Sequence, residues 1–258
     1  MNPYLYEMLH RVSNPLEMPK EPSVRNDRFL KAYEEAIQKR VDSLLQEQTF
    51  ENKFLSIEQL RKKIEKEVRE ASDLSEFGDY ITTALRLFRT EGSRYLEKEA
   101  FNNLLEGLNQ LAIGIEALDL ENLDNETFYE TFEVLTKNTE DILKIGTLKY
   151  EEGLIRESLA VFTFLTLIQS HDSDFWYRMG LIAQEDKNME LALRAFNVAL
   201  ELNPQLIGPH IYGAMSLFNQ GLKEEALEEI KAAKSKQRNE EWSEEIQAVE
   251  DLISPPSS

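Results

Sequence analysis

The chain has 258 residues, no cysteine, and a formal net charge of −19 from 29 basic and 48 acidic side chains. This acidity excludes the basic surface that nucleic-acid binding needs and disfavours anionic membranes, and the lack of cysteine excludes disulfides and thiolate chemistry. No signal-peptide pattern begins the sequence and no apolar run approaches the ~20 residues of a membrane span, so we expect a soluble cytoplasmic protein.

Residues 1–25 are predicted to form an extended arm. Four prolines lie in this segment, and proline removes a backbone donor and disrupts the interior of a helix. They are Pro3, Pro15, Pro19 and Pro22. A long helix is therefore excluded before residue 26.

Residues 26–138 are predicted to form an N-terminal helical domain. Apolar residues recur at helical spacing from residue 29 to 44, from 57 to 68, from 77 to 88 and from 104 to 118. Ser56 and Gln59 make a possible capping box for the second of these helices. Residues 105–138 are a possible degenerate repeat: Leu108, Ala112 and Phe128 fit the repeat pattern described below, whereas Asp124 argues against it.

A repeat pattern about 34 residues long is centred on residue 180. With Ser173 as position 1, the matching residues are Trp176 at position 4, Gly180 at 8, Ala192 at 20, Phe196 at 24, Ala199 at 27 and Pro204 at 32. This set is typical of the tetratricopeptide repeat (TPR), a helix–turn–helix unit that stacks into a curved solenoid. The small residues permit close helix approach, the aromatic residues fill the space between helices, and the proline ends the second helix.

The same pattern occurs once before and once after this unit. Gly146 and Phe162 take positions 8 and 24 of a unit that starts at Thr139, and Ala214 takes position 8 of a unit that starts at Ile207. Residues 139–240 are therefore predicted to form three TPRs. Residues 241–253 carry an apolar stripe typical of a capping helix, and residues 254–258 are predicted to be a disordered tail. The predicted fold class is an all-α, TPR-type helical solenoid preceded by an additional helical domain.

The predicted binding site is the concave groove, which the first helix of each repeat lines at positions 5, 9 and 12. Those positions hold Leu143, Thr147, Tyr150, Tyr177, Leu181, Gln184, Ile211, Met215 and Phe218. Because the set is mainly apolar and aromatic, it favours an extended peptide with apolar anchors. Alternatively, each of these residues belongs to the core between repeats.

Nothing in the sequence indicates an enzyme. The chain has three histidines, His10, His171 and His210, and contains no metal-binding His-Glu-x-x-His motif, phosphate-binding glycine loop or serine elbow. His171 lies near Asp172 and Asp174, where a surface position is favoured over a metal site, and His210 is expected to pack in its repeat. We therefore predict no catalytic residue, no metal site and no cofactor.

The segment from Lys144 to Lys234 resembles the class II chaperones of bacterial type III secretion, the SycD/LcrH type. The similar features include Gly146 with Tyr150, the helix around Phe162, and the stretch from Asp174 to Gly180. The resemblance implies a virulence-associated chaperone that holds an extended PxLxxP-type segment of a secreted, membrane-active translocator protein in its groove. It also implies a homodimer formed through N-terminal helices. Here 138 residues precede the first repeat, more than the family's short N-terminal segment. The alternative function is that of a TPR scaffold or adaptor in another assembly.

The arm contains one further pattern. Asn14 to Pro19 matches xxLxxP and lacks only the first proline of the cargo motif. A chance match in a proline-rich tail is the favoured explanation. The other is that this segment occupies the chain's own groove or that of a neighbour.

Overall fold

A computed structural model describes residue 38 and residues 41–45, 57–117, 131–237 and 240–254, with the backbone alone at 57–60, 63 and 66–76. The described residues form α-helices, short 3-10 helices and turns, and no strand. The predicted arm, residues 118–130 and all but the first residue of the predicted tail lie outside the described residues. None of the described helices is long and apolar enough to cross a bilayer.

Three helical hairpins follow one another from residue 139. Their helices are α3 (Thr139–Glu151) and α4 (Ile155–Ile168), α5 (Ser173–Glu185) and α6 (Met189–Leu202), and α7 (Gly208–Asn219) and α8 (Lys223–Lys236). Each first helix packs against the second helix of its own hairpin, and α5 and α7 also pack against the hairpin before them. This order confirms the all-α, TPR-type solenoid with three repeats.

Positions 8 and 24 meet at the seam inside each hairpin. A Cβ on Gly180 would collide with the ring of Phe196, and a Cβ on Gly146 would lie 3.0 Å from the ring of Phe162. In the third repeat position 8 holds Ala214 and position 24 holds Ile230, which is smaller than phenylalanine. A large ring on one helix therefore goes with the absence of a side chain on the other, as close packing requires.

The turn inside each hairpin places position 15 in the left-handed region of backbone space. Gly153 has a φ of 77° and Gly221 a φ of 83°. Lys187 occupies the same position in the second repeat with a φ of 64°. Because a side chain disfavours this conformation, the second turn carries strain that the other two avoid.

A capping helix closes the C-terminal end of the stack. A 3-10 helix at Glu240–Trp242 leads into α9 (Ser243–Ile253), which packs on α7 and α8. Its buried stripe consists of Ile246, Val249 and Ile253, whereas Leu252 faces solvent. The predicted capping helix is confirmed, and the apolar stripe ends at Ile253.

The N-terminal region differs from the prediction in its helix boundaries. Residues Ile57–Tyr95 form one helix, α1, where the sequence analysis placed two. No proline occurs in this helix, and its two glycines, Gly78 and Gly92, do not lie between the two apolar stretches, so nothing there breaks the backbone hydrogen bonds. A second helix, α2 (Lys98–Glu116), ends one residue before the end of the described stretch at residues 57–117.

Helix α1 packs directly on the first repeat. The rings of Phe88 and Phe164 meet edge to face, with centroids 5.2 Å apart. One continuous apolar core extends from Ala84 to Ile253 and includes residues of α1 and α2. The predicted domain boundary at residue 138 therefore does not divide the apolar core. A 3-10 helix (Glu133–Asn138) continues directly into α3, and α1 packs against the repeats.

A candidate protein-binding face

The nine predicted groove residues divide into two groups by exposure. Five are buried in the folded chain: Thr147, Tyr150, Tyr177, Leu181 and Ile211. Four are partly exposed: Leu143, Gln184, Met215 and Phe218. The five buried side chains lie in the interior, which is the alternative that the sequence analysis left open for each residue. The four partly exposed side chains are the ones that a partner can reach.

Contacts between the second and third repeats explain why Tyr177 is buried. The start of α7 approaches so closely that a Cβ on Gly208 would collide with the Tyr177 ring. The ring centroid lies 6.1 Å from that of Phe196 and 6.4 Å from that of Tyr212. Tyr177 is therefore an element of the seam between α5 and α7, which sequence spacing alone assigned to the groove.

Gln184 is committed to the same seam. Its Nε2 donates hydrogen bonds to the carbonyl oxygen of Tyr212 at 3.0 Å and to Oγ of Ser216 at 3.1 Å. These bonds tie the end of α5 to α7. The side-chain amide nitrogen thus supports the stack, and only the amide oxygen is left to accept a bond from a bound peptide.

The accessible apolar residues lie on the first and third repeats. Met215 and Phe218 are three residues apart on α7, which places them on one side of that helix, and Leu143 lies on α3. All three pack against the main core while remaining partly exposed. Side chains held in this way provide fixed apolar contact area that a partner can bury.

Arg178, the residue that follows Tyr177 on α5, is a buried cation. It is 1% exposed, and its Nε donates to Oδ2 of Asp174 at 2.7 Å. The α5 N-terminus is capped by Asp172, which accepts a hydrogen bond from the backbone nitrogen of Asp174. Burial raises the pKa of Asp172, and the hydrogen bonds from backbone nitrogens offset part of that rise. The buried guanidinium of Arg178 is therefore paired with a carboxylate of its own helix.

A second buried cation joins α1 to the first repeat. Nζ of Lys149 donates to Glu91 on α1 at 2.7 Å and to Glu157 on α4 at 2.6 Å, and it lies 5.2 Å from the ring centroid of Tyr95. Burial disfavours the charged amine, but the bonds to Glu157 and Glu91 outweigh it, so the pKa of Lys149 is raised. We call Lys149, Glu91 and Glu157 the lysine clamp.

The third repeat contains a buried histidine pair. Nδ1 of His210 lies 2.6 Å from Oε2 of Glu229, which connects α7 to α8. This contact agrees with the packing role predicted for His210. His171 is exposed, and among the described residues no group of histidine, aspartate and glutamate side chains could hold a metal ion.

Comparisons with known proteins give two partial structural similarities. No protein-family model and no curated protein matches the chain. A solved structure described as a CopN-Scc3 complex is similar over 55% of this chain and 85% of its own, with 22% identity and a TM-score of 0.44. A structure of a MamA mutant is similar over 54% of this chain and 98% of its own, with 17% identity and a TM-score of 0.40. Because both TM-scores are below 0.5, the conclusions that follow depend on the chain's own residues.

Proposed function

We propose that this chain is a non-enzymatic, protein-binding TPR chaperone that holds an extended apolar segment of a partner on the inner face of its repeats. The observation that carries the proposal is the set of partly exposed apolar side chains on the first helices of the repeats, Leu143, Met215 and Phe218. A rigid stack of hairpins that presents such residues is suited to capture an extended chain by its side chains.

The proposed partner is a secreted, membrane-active protein of the translocator class, in the bacterial cytoplasm before export. Support comes from the resemblance of residues 144–234 to type III secretion chaperones and from the chemistry of the face. An aggregation-prone apolar segment is shielded when it is buried, and a carrier with a net charge of −19 keeps the complex dispersed.

A scaffold or adaptor function is the second candidate. The observation that favours it is the packing of α1 on α4, which adds a long helix to the stack and gives the chain more surface than three repeats supply. A scaffold would bind folded, soluble proteins. A homodimer through the N-terminal helices stays a prediction for either function.

The test is co-expression with a type III secretion translocator protein, measuring how much of the translocator stays soluble. The variant Met215→Glu with Phe218→Glu should lower that fraction severalfold, because two charges would meet the apolar segment. Lys231→Glu, on the exposed side of α8, is the matched control and should leave it unchanged. Circular dichroism checks that helicity is retained.

Two outcomes would contradict the proposal. One is a translocator that is equally soluble with and without this chain, and the other is full solubilisation by the Met215→Glu/Phe218→Glu variant. Changes at Tyr177 and Leu181 are unsuitable for this purpose, because both side chains are buried and a charge there would unfold the repeat.

A further inference from the structure

The end of α5 carries an acidic side chain beside the accessible part of the inner face. Gln184 bonds to the carbonyl oxygen of Tyr212 and to Oγ of Ser216, so α5 ends next to the stretch of α7 that carries Met215. Glu185 follows Gln184 as the last residue of α5, and it is exposed. An exposed carboxylate therefore lies beside the apolar contact area that Met215 provides.

The charge of Glu185 is not neutralised within the described part of the chain. Its side chain forms no ion pair or hydrogen bond there, whereas the neighbouring Asp186 pairs with Arg156 of α4 at 3.5 Å. The last turn of α5 contains no basic residue, and Lys187 in the following turn is exposed and does not pair with Glu185. Because the C-terminus of a helix carries a partial negative charge, a carboxylate there is unfavourable until a cation approaches.

Gln184 adds a second hydrogen-bond acceptor at the same place. Its Nε2 is committed to α7, which leaves the amide oxygen to accept a bond. A carboxylate and an amide oxygen on adjacent residues accept hydrogen bonds and donate none. Lysine and arginine side chains are positively charged and only donate, so they are the side chains that match this pair of acceptors.

We propose that the partner segment on the inner face carries a lysine or arginine about three residues from its apolar anchor, and that Glu185 binds this basic residue. The proposal deepens the proposed function, on which it rests, because it states a charge requirement for the same site. Helices α5 and α7 are in contact, and packed helices lie about 8–10 Å apart. An extended chain advances about 3.3 Å per residue, so about three residues separate the group at Met215 from the group at Glu185.

The charge of the whole chain favours a basic segment without fixing its position. A net charge of −19 attracts any cationic peptide. At about 0.15 M salt the attraction between exposed charges is largely screened beyond about 8 Å, so charges in direct contact contribute most. The location of Glu185 beside Met215 is what fixes where the basic residue binds. A test therefore needs a control variant that changes the net charge equally elsewhere.

A displayed library of random peptides provides the test, with peptides of about 12 residues that cross all three repeats when extended. Selection against the full chain at about 0.15 M salt should enrich an apolar residue with a lysine or arginine about three residues away. Against Glu185→Lys, the same spacing should favour aspartate or glutamate. Glu106→Lys, exposed in the middle of α2, is the matched control and should keep the basic preference.

A synthetic copy of the most enriched peptide measures the size of the effect. Glu185→Lys should weaken its binding about fivefold, because a like-charge contact replaces an exposed ion pair. Changing the basic residue of the peptide to glutamate should restore binding to Glu185→Lys and weaken binding to the wild type. Glu185→Lys should also raise the urea midpoint, because a cation at the C-terminus of α5 is favourable. Lower affinity together with higher stability excludes unfolding as the cause.

The inference is overturned if the enriched peptides carry apolar residues without a basic residue at a fixed spacing, or if Glu185→Lys selects the same peptides as the wild type. Either result leaves the proposed function intact when the Met215→Glu/Phe218→Glu variant loses those peptides. A library that yields no peptide with a preference for the wild type over Met215→Glu/Phe218→Glu would reject the apolar binding face itself, and the inference with it.

Discussion

Helices α4 and α8 are the second helices of the first and third repeats, yet their surroundings differ. In α4 every residue from Ser158 to Ile168 is buried. In α8 only Ala226, Glu229, Ile230 and Ala233 are buried, and apart from the partly buried Leu227 the remaining residues are charged or small. The difference arises because α1 packs on the outer side of α4, whereas the outer side of α8 faces solvent. The second helix of a repeat is thus enclosed in the first repeat and largely exposed in the third.

The largest expected effect comes from exchanging the residues at position 25 between the first and third repeats. Thr163 holds this position on α4 and is fully buried, and Lys231 holds it on α8 and is exposed. Thr163→Lys should lower the free energy of unfolding by about 3–5 kcal/mol, since it buries a charge without a partner. The reciprocal change, Lys231→Thr, should alter it by less than about 0.5 kcal/mol. Urea denaturation measures both, and equal effects would show that α1 does not shield α4 in solution.

The second prediction concerns the lysine clamp. The side chains of Glu91 and Glu157 are 31% and 30% exposed, whereas that of Lys149 is 1% exposed. Without the carboxylates the buried amine would lack a charged partner, whereas the carboxylates would still contact water. Replacing both by glutamine should lower the free energy of unfolding by about 2–4 kcal/mol, after a discount for their solvent contact. Lys149→Met should cost less, because it removes the buried charge itself. A larger loss in Lys149→Met would contradict this account.

The clamp also predicts a dependence on pH. The hydrogen bond from Lys149 holds the pKa of Glu91 below its ordinary value of 4.5, and burial opposes that shift only in part. A carboxyl with a lowered pKa stabilises the fold above its ordinary pKa and loses this contribution as pH falls through the lowered value. The stability difference between the wild type and Glu91→Gln should therefore be constant near pH 7 and shrink below about pH 4.5. Denaturation from pH 7 to pH 3 measures it.

The smallest expected effect concerns a feature that all three repeats share, the left-handed residue at position 15 of the turn. Lys187→Gly should raise the free energy of unfolding by about 0.5–1 kcal/mol, because glycine adopts the left-handed conformation without the penalty of a side chain. Gly153→Ala and Gly221→Ala should each lower it by about 1 kcal/mol. If Lys187→Gly were destabilising, the lysine side chain would have a role that outweighs its backbone strain. Thermal unfolding under one buffer condition compares all three.

The candidate site was only partly predictable from the sequence. Repeat spacing located the nine positions on the first helices, but it did not separate Met215, which stays accessible, from Tyr177, which is buried by the start of α7. Exposure depends on how closely two hairpins approach, and that distance is set by residues such as Gly208 in the next repeat.

The sequence by itself determined the three hairpins, because each depends on local features that recur every 34 residues. These are small residues facing rings at the seam, glycine in two of the three turns, and an apolar stripe in the capping helix. Only the tertiary structure identified α1 as the neighbour of α4, through Phe88 with Phe164 and Lys149 with Glu91. Contacts between residues so far apart in sequence have no spacing rule, since they depend on how separate helices pack.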